Sequence, residues 1–363
     1  MQRILRMKNR RFPTTLLLIT GWVIAACSSD PPAAGDTAAT GEADHDPVAA
    51  AAPSPLAGTL GMVTNVHGVT CPSGTPPGAT CSQLTVTGCP LIESAAINAT
   101  IALLAPTAPL TGTVVHFKGG GGEGFQTSGT TEYAAAGLRQ VYVSWASDWE
   151  STPDQGIKAA GCRPSTVLAW VFQQIHGSSR ALAFCGEGFS GGSGQLGYAL
   201  AHYGAAGVLD YVNELSGPPF ARIDLGCDGD APPTATVCGA TVTTRLPGSL
   251  NVWENIQPPL SCGATNVPAS EKTRWRSDSI AVGGVYNYPK TRVEFFDCTN
   301  HATAVTAMAQ IYFNTVLQAS GGDTSRVVFH CYSQADGCDG EGLGTGGQDA
   351  INAMIAGCKP RHQ

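Results

Sequence analysis

A glycine-flanked serine is the clearest candidate for chemistry in this 363-residue sequence. Gly188-x-Ser190-x-Gly192 follows an apolar run at residues 180–185 that predicts a strand, and a helical pattern begins directly after it. A strand, a tight turn and a helix in this order lift the serine hydroxyl to the edge of a sheet and direct the helix N-terminus at it. The alternative is a chance match among 45 glycines, but the context favours Ser190 as a nucleophile toward an acyl carbonyl.

A second glycine-rich segment occupies residues 119–124, directly after a predicted strand at residues 113–117. Bare backbone N–H groups can approach a developing negative oxygen closely, so we expect the N–H groups of Gly120, Gly121 and Gly191 to form an oxyanion hole. The alternatives are a flexible loop or a phosphate-binding loop. A phosphate-binding loop would need Gly-Lys-Ser/Thr after the glycines, and this sequence does not have it.

The hydrophobic pattern predicts the elements that position these residues. Apolar and β-branched runs predict strands at residues 83–88, 98–105, 111–117, 139–145, 180–185, 209–215, 291–297 and 325–329. Helical patterns lie between the later strands, at residues 163–176, 194–203, 302–317 and 348–356. This order predicts an α/β fold with a mostly parallel central sheet, an antiparallel start and helices on both faces.

Residues 218–290 interrupt the alternation with prolines and three cysteines. We expect an irregular, disulfide-rich insertion that covers the carboxyl edge of the sheet as a lid. Trp253 and Trp275 are its candidate substrate contacts, and the alternative is that they pack the insertion's own core.

These motifs together resemble the α/β-hydrolase serine esterases, in particular a secreted, cysteine-rich branch of that superfamily. The resemblance covers about residues 80–217 and 291–357, and it includes Ala160-Gly-Cys162-Arg163-Pro164 before the nucleophile strand. It implies ester hydrolysis through an acyl-enzyme, without a cofactor, and a triad in the order serine, acid, histidine.

The resemblance implies that the acid follows the strand at residues 291–297. Asp297 lies at that strand's carboxyl end, and it is therefore the predicted acid. Asp224 and Asp278, inside the insertion, are its rivals, and a helix-capping role for Asp297 is the structural alternative.

The histidine departs from the family pattern. Relatives usually place the base in the loop before the last helix, but residues 336–344 contain no histidine. His330, at the end of the last predicted strand, is the predicted base, and His301 is the alternative. The missing loop histidine also supports a rival function, a non-catalytic surface lipoprotein that keeps the hydrolase fold for binding.

Two cysteines directly follow the predicted acid and base, Cys298 after Asp297 and Cys331 after His330. The ends of neighbouring parallel strands lie about 4.8 Å apart, which suits a Cys298–Cys331 disulfide. Alternation along the strands would then direct Asp297 and His330 to one side together. The competing pairing is Cys331–Cys338, a local loop closure.

The N-terminus predicts export. Five cations precede a short apolar run, and Ile24-Ala25-Ala26-Cys27 resembles the bacterial lipobox. Residues 1–26 are therefore the predicted lipoprotein signal peptide, Cys27 the lipidated residue, and residues 27–57 an Ala/Pro/Gly-rich tether. An ordinary cleaved secretory signal is the alternative. Residues 58–363 form the hydrolase-like domain.

The net charge and the cysteine content indicate which kinds of partner to expect. The net charge of −7 argues against nucleic-acid binding, and the 12 cysteines beyond Cys27 favour disulfides over a metal site. We therefore expect an exported protein that is lipid-anchored to the cell envelope, in the outer membrane if the cell is Gram-negative. Its expected partners are an ester substrate and, through the acyl chains alone, the membrane, with no metal.

Overall fold

The computed structural model describes residues 60–93, 95–152, 155–230, 234–243, 246, 250–254, 256, 260–299, 305–338 and 343–363. Residue contacts divide the chain into the units Met1–Pro47 and Val48–Gln363, and only the second contains described residues. None of the helices in this part of the chain is both long enough and apolar enough to cross a membrane.

Strands and helices alternate through most of the described chain. The strands are β1 Met62–Val69, β2 Thr80–Thr87, β3 Ile97–Leu104, β4 Gly112–Phe117, β5 Leu138–Trp145, β6 Ala183–Phe189, β7 Tyr211–Leu215, β8 Thr234–Val237, β9 Ala240–Thr243, β10 Arg292–Cys298 and β11 Val327–Tyr332. The α-helices are α1 Thr130–Ala135, α2 Gly156–Ala160, α3 Cys162–Trp170, α4 Gly191–Tyr203, α5 Ile223–Cys227, α6 Leu250–Trp253, α7 Ala269–Asp278, α8 Val305–Ala319 and α9 Thr345–Gly357. A π-helical turn, Val171–Ile175, continues α3.

The central sheet has the strand order β1-β2-β3-β5-β4-β6-β7-β10-β11. The pairs from β1 to β3, and β3 with β5, are antiparallel, and every pair from β5 through β4 to β11 is parallel. All residues of β4 and β7 are buried, as expected for strands covered on both faces. The predicted α/β architecture with an antiparallel start is confirmed.

Helices cover both faces of this sheet. Val115 belongs to the core that contains residues of α3, α4 and α8, whereas Val114 belongs to a second core with Tyr133 of α1 and Met354 of α9. Because successive side chains of a strand point to opposite faces, we refer below to the α4/α8 face and the α1/α9 face.

Twelve cysteines form six disulfides. The pairs are Cys71–Cys81, Cys89–Cys162, Cys185–Cys358, Cys227–Cys262, Cys238–Cys331 and Cys298–Cys338. The segment between β7 and β10 contains α5, the β8–β9 hairpin, α6 and α7. Cys227–Cys262 closes this segment on itself, and Cys238–Cys331 ties its hairpin to β11.

Candidate active site

Ser190 occupies the single residue between β6 and α4, in a backbone conformation that serine rarely adopts. Its φ is 53° and its ψ is −114°, and such a conformation persists only where the surroundings impose it. The Ser190 N–H donates to the carbonyl of Leu215, and the Ser190 carbonyl accepts from the Gly194 N–H. The side chain is partly exposed. The turn is thus strained, held on both sides and open to solvent.

Backbone contacts explain the glycines around Ser190. A Cβ atom on Gly188 would lie 2.4 Å from the Gly192 carbonyl oxygen, and one on Gly192 would lie 2.1 Å from the Phe117 carbonyl oxygen. A Cβ atom on Gly191 would lie 2.2 Å from the Gly120 carbonyl oxygen. Because real Cβ contacts are much longer, a side chain at any of the three would displace backbone.

The glycine loop after β4 lies against this turn. A Cβ atom on Gly119 would be 3.1 Å from the Cβ of Ser190, and Gly120 is exposed with a φ of +60°. No backbone hydrogen bond involves the N–H of Gly120 or Gly191 among the described residues. Gly121 instead packs against Asp148. Two unpaired N–H groups beside a partly exposed serine can stabilise an oxyanion.

Ser193, the other serine of this turn, is fully buried. Its hydroxyl donates to the carbonyl of Ser190 at 2.5 Å. It therefore supports the turn and is not accessible to a substrate.

Asp297 lies at the end of β10, fully buried on the α4/α8 face with Phe295, which contacts Tyr312 of α8. Burial raises the pKa of its carboxyl well above the usual range. The Gly217 N–H approaches the carboxyl and acts to lower this pKa, but neither oxygen has a hydrogen bond within normal distance and angle limits.

Glu214 of β7 is a second buried carboxyl that the sequence analysis missed. It is fully buried, and both its oxygens lack a hydrogen-bond partner among the described residues. Burial raises its pKa well above the usual range, and repulsion from Asp297 raises it further. The sequence did contain a signal for it: Glu214 lies inside the predicted strand at residues 209–215, in a sheet with helices on both faces. Such a position seldom holds an unpaired charge.

His330 lies on the other face, so the prediction that it points with Asp297 is wrong. In the register of β10 and β11, His330 pairs with Phe296, and Asp297 pairs with Cys331. His330 stacks on Phe296 with ring centroids 4.4 Å apart, and its Nε2 lies 2.7 Å from Glu294 Oε2. The Glu294 pKa is lowered, although burial opposes this, because His330 and Arg292 favour its charged form.

The position of His330 also separates it from the serine. Phe296 pairs with both His330 and Leu215, and Leu215 pairs with Phe189. Three strand spacings of about 4.8 Å put the His330 backbone roughly 14 Å from the end of β6. This distance exceeds the reach of an imidazole side chain, so this position does not support His330 as the base.

The same register corrects the disulfide prediction. Cys298 pairs with Tyr332 in the ladder, one residue beyond Cys331, so the two cysteines point to opposite faces. Cys298 bonds to Cys338 and Cys331 to Cys238, which contradicts both the Cys298–Cys331 and the Cys331–Cys338 pairings.

The two other described histidines that follow Ser190 are also engaged elsewhere. His202 is hydrogen-bonded to the carbonyl of Ile280, and burial lowers its pKa to about 4. His362 contacts the carbonyl of Leu209. His301 and Cys27 lie outside the described residues.

Several further candidates can be placed. Trp275 is fully buried in the main core, which favours its packing role over substrate contact, and the Trp253 side chain lies outside the described residues. Asp224 is paired with Arg222, and Asp278 is buried beside Glu254. Within the described ranges, no group of three or more His, Cys, Asp or Glu side chains is arranged to hold a metal ion.

The parallel sheet, the strained serine between strand and helix, and the adjoining glycine loop define an α/β-hydrolase fold. A scan of protein-family models and a search of curated proteins each found no match.

Solved structures similar to this chain include several esterases. An esterase from the archaeon Pyrobaculum calidifontis has a TM-score of 0.46 and 15% identity over 77% of this chain and 82% of its own. Bacterial heroin esterase has a TM-score of 0.46 and 12% identity over 78% of this chain and 86% of its own. The carboxylesterase EstE1, cloned from a metagenomic library, has a TM-score of 0.46 and 14% identity over 83% of this chain and 92% of its own.

Proposed function

We propose that this protein is an exported serine hydrolase that cleaves carboxylic esters through an acyl-enzyme on Ser190. The observation that carries the proposal is the conformation of Ser190, with φ 53° and ψ −114°. Beside it lie the N–H groups of Gly120 and Gly191, which make no backbone hydrogen bond to a described residue. Residues in such conformations cluster at functional sites.

The proposed reaction follows from this arrangement. A base takes the proton of the Ser190 hydroxyl as Oγ attacks the ester carbonyl carbon, and the N–H groups of Gly120 and Gly191 bind the resulting oxyanion. Collapse of the intermediate breaks the bond to the alcohol, which leaves with the proton from the base. Water then attacks the acyl-enzyme by the reverse sequence and releases the acid.

We assign Asp297 as the acid and His301 as the base. Asp297 lies at the carboxyl end of β10, two strands from the Ser190 turn. His202, His330 and His362 contact groups away from Ser190. His301 follows Asp297 by four residues in the sequence, which supports it over the His330 of our sequence prediction.

We further propose that the protein acts outside the cytoplasm, anchored by acyl chains on Cys27 after removal of residues 1–26. Six disulfides support this proposal, because disulfides persist in oxidising compartments.

A fluorophosphonate probe, which reacts with activated serines, tests the proposal together with a panel of chromogenic esters. We expect the purified protein to be labelled and Ser190→Ala to lose both labelling and hydrolysis. Ser277→Ala, which changes an exposed serine of α7, is the matched control and should behave as wild type. Equal labelling of wild type and Ser190→Ala would refute the nucleophile.

Histidine variants test the base. His301→Ala should lower kcat by several orders of magnitude, as loss of a triad histidine does, whereas His330→Ala should retain most activity. The reverse result would overturn our assignment.

One observation favours a second function, a binding protein that keeps the hydrolase fold: no described histidine contacts Ser190. A folded wild-type protein that reacts with neither probe nor esters would support this alternative.

A further inference from the structure

Glu214 and Asp297 form a pair of buried carboxyls below the Ser190 turn. They belong to the neighbouring parallel strands β7 and β10, and Glu214 pairs in register with Phe295, two residues before Asp297. Side chains two residues apart share a face, so both carboxyls lie on the α4/α8 face, on strands about 4.8 Å apart. Both residues are fully buried.

Nothing described nearby neutralises two charges at this place. All four carboxyl oxygens lack a hydrogen-bond partner among the described residues, and so does the buried hydroxyl of Ser216 at the end of β7. The titratable neighbours of Glu214 besides Asp297 are the phenols of Tyr288 and of Tyr312 from α8. In the described chain no Lys, Arg or His contributes to the pKa of either carboxyl. Since a second buried carboxylate beside a charged Asp297 would be desolvated and repelled at great cost, we infer that the pair retains a proton.

The surroundings favour Glu214 as the residue that holds this proton. Burial and Asp297 both raise the pKa of Glu214, and nothing lowers it. Asp297 has the Gly217 N–H, which favours its charged form. Gly217 also connects the pair to the nucleophile, because its Cα lies against the Ser193 hydroxyl that binds the Ser190 carbonyl.

We propose that Glu214 is a positioning residue for the reaction: it retains one proton, so that Asp297 is the charged carboxyl of the pair and serves as the acid that orients the base. The retained proton is independent of catalysis, whereas the positioning role rests on the proposed function. The two parts are therefore tested by different measurements.

The first measurement is stability against pH, and its sign follows from linkage. A proton held by the folded pair but released on unfolding makes stability fall as pH rises above the ordinary glutamate pKa. Glu150, Glu254 and Asp278 are also buried with raised pKa values, so the informative quantity is the difference between wild type and Glu214→Gln. Measured between pH 6 and 8, the ratio of their unfolding constants should change with pH by up to about tenfold per pH unit, the limit for one proton, and wild type should lose stability relative to the variant.

Asp323→Asn is the control, since hydrogen bonds from Ser325 and Arg326 lower the pKa of Asp323 to about 2 and no histidine contributes to it. A carboxyl with a lowered pKa stabilises the folded protein at pH values above its ordinary pKa, and this contribution is lost only as the pH falls. The difference in unfolding free energy between this variant and wild type should therefore be flat between pH 6 and 8. If Glu214→Gln does not fold, Glu214→Leu removes the same proton and should give the same slope. A flat difference for the Glu214 variant that folds overturns the retained proton.

The second measurement is the acid limb of the kcat/KM profile. Glu214→Leu replaces the polar carboxylic acid beside Asp297 with an apolar side chain and should move this limb upward by about one pH unit or more, because a less polar surrounding raises the pKa of a buried carboxyl. Glu214→Gln keeps a neutral polar group and should leave the limb near its wild-type position. A packing role would change stability in both variants but would not move the limb. If the acid limb of Glu214→Leu stays at its wild-type position while the stability difference still depends on pH, the positioning role is overturned. The retained proton would then still be supported.

Discussion

Replacing Ser190 with glycine should stabilise the protein relative to replacing it with alanine. The residue has φ 53° and ψ −114°, a conformation that costs a non-glycine residue roughly 1–3 kcal/mol. Glycine adopts it freely but loses roughly 0.5–1 kcal/mol more backbone entropy on folding. The net expectation is that Ser190→Gly exceeds Ser190→Ala in stability by about 0.5–2 kcal/mol.

Urea unfolding of both variants, followed by tryptophan fluorescence, measures this difference. Ser277 in the exposed part of α7 supplies the control pair: its backbone is helical, so Ser277→Gly should be less stable than Ser277→Ala by about 1 kcal/mol. The sign at residue 190 should therefore be opposite to the sign at residue 277. If the glycine variant is the less stable one at both positions, Ser190 is not strained, and the main support for its role as nucleophile is lost.

Three other changes have definite expectations. Gly192→Ala puts a Cβ 2.1 Å from the Phe117 carbonyl oxygen and should lower stability by at least about 1–3 kcal/mol, so an unchanged thermal melt would contradict the tight turn. Trp275→Ala empties a fully buried site and should cost about 3–5 kcal/mol, with all esters affected alike; a change of substrate preference in a stable variant would restore the substrate-contact role. Cys27→Ser should release the protein from membranes or block its maturation, and unchanged fractionation would refute the lipid anchor.

The sheet could be predicted from the sequence because its strands are short apolar runs separated by helical periodicity. Residues 111–117 were predicted as a strand, and β4 spans Gly112–Phe117 with every residue buried. The serine turn was also predictable, since a Cβ atom on Gly188, Gly191 or Gly192 would lie only 2.1–2.4 Å from a backbone carbonyl oxygen, and this requirement for glycine leaves a local sequence signature. β1, Met62–Val69, was missed: it is an edge strand with mostly exposed or half-buried residues, and it lacks a strong hydrophobic pattern.

The relative orientation of Asp297 and His330 could not be predicted, because it depends on strand register. Pairing Asp297 with Cys331 instead of His330 is a shift of one residue, and one residue changes the face to which every side chain points. The register of parallel strands is set by the packing of the connecting helices, here α8 between β10 and β11, which the hydrophobic pattern does not encode to one residue. The same shift invalidated the disulfide that had been inferred from it.

The Cys298–Cys338 disulfide nevertheless holds the end of β10 in place, as the predicted Cys298–Cys331 bond would have done. Cys298, directly after Asp297, is bonded to Cys338, which lies in the connection between β11 and α9. The bond therefore fixes the end of β10, directly after the proposed acid, to the connection between β11 and α9. Cys331 holds the insertion hairpin through Cys238. A disulfide lowers the conformational entropy of the unfolded chain, so less entropy is lost on folding. Both bonds therefore stabilise the carboxyl ends of β10 and β11. An exported hydrolase whose base follows β10, as we propose for His301, would require these ends to be held in place.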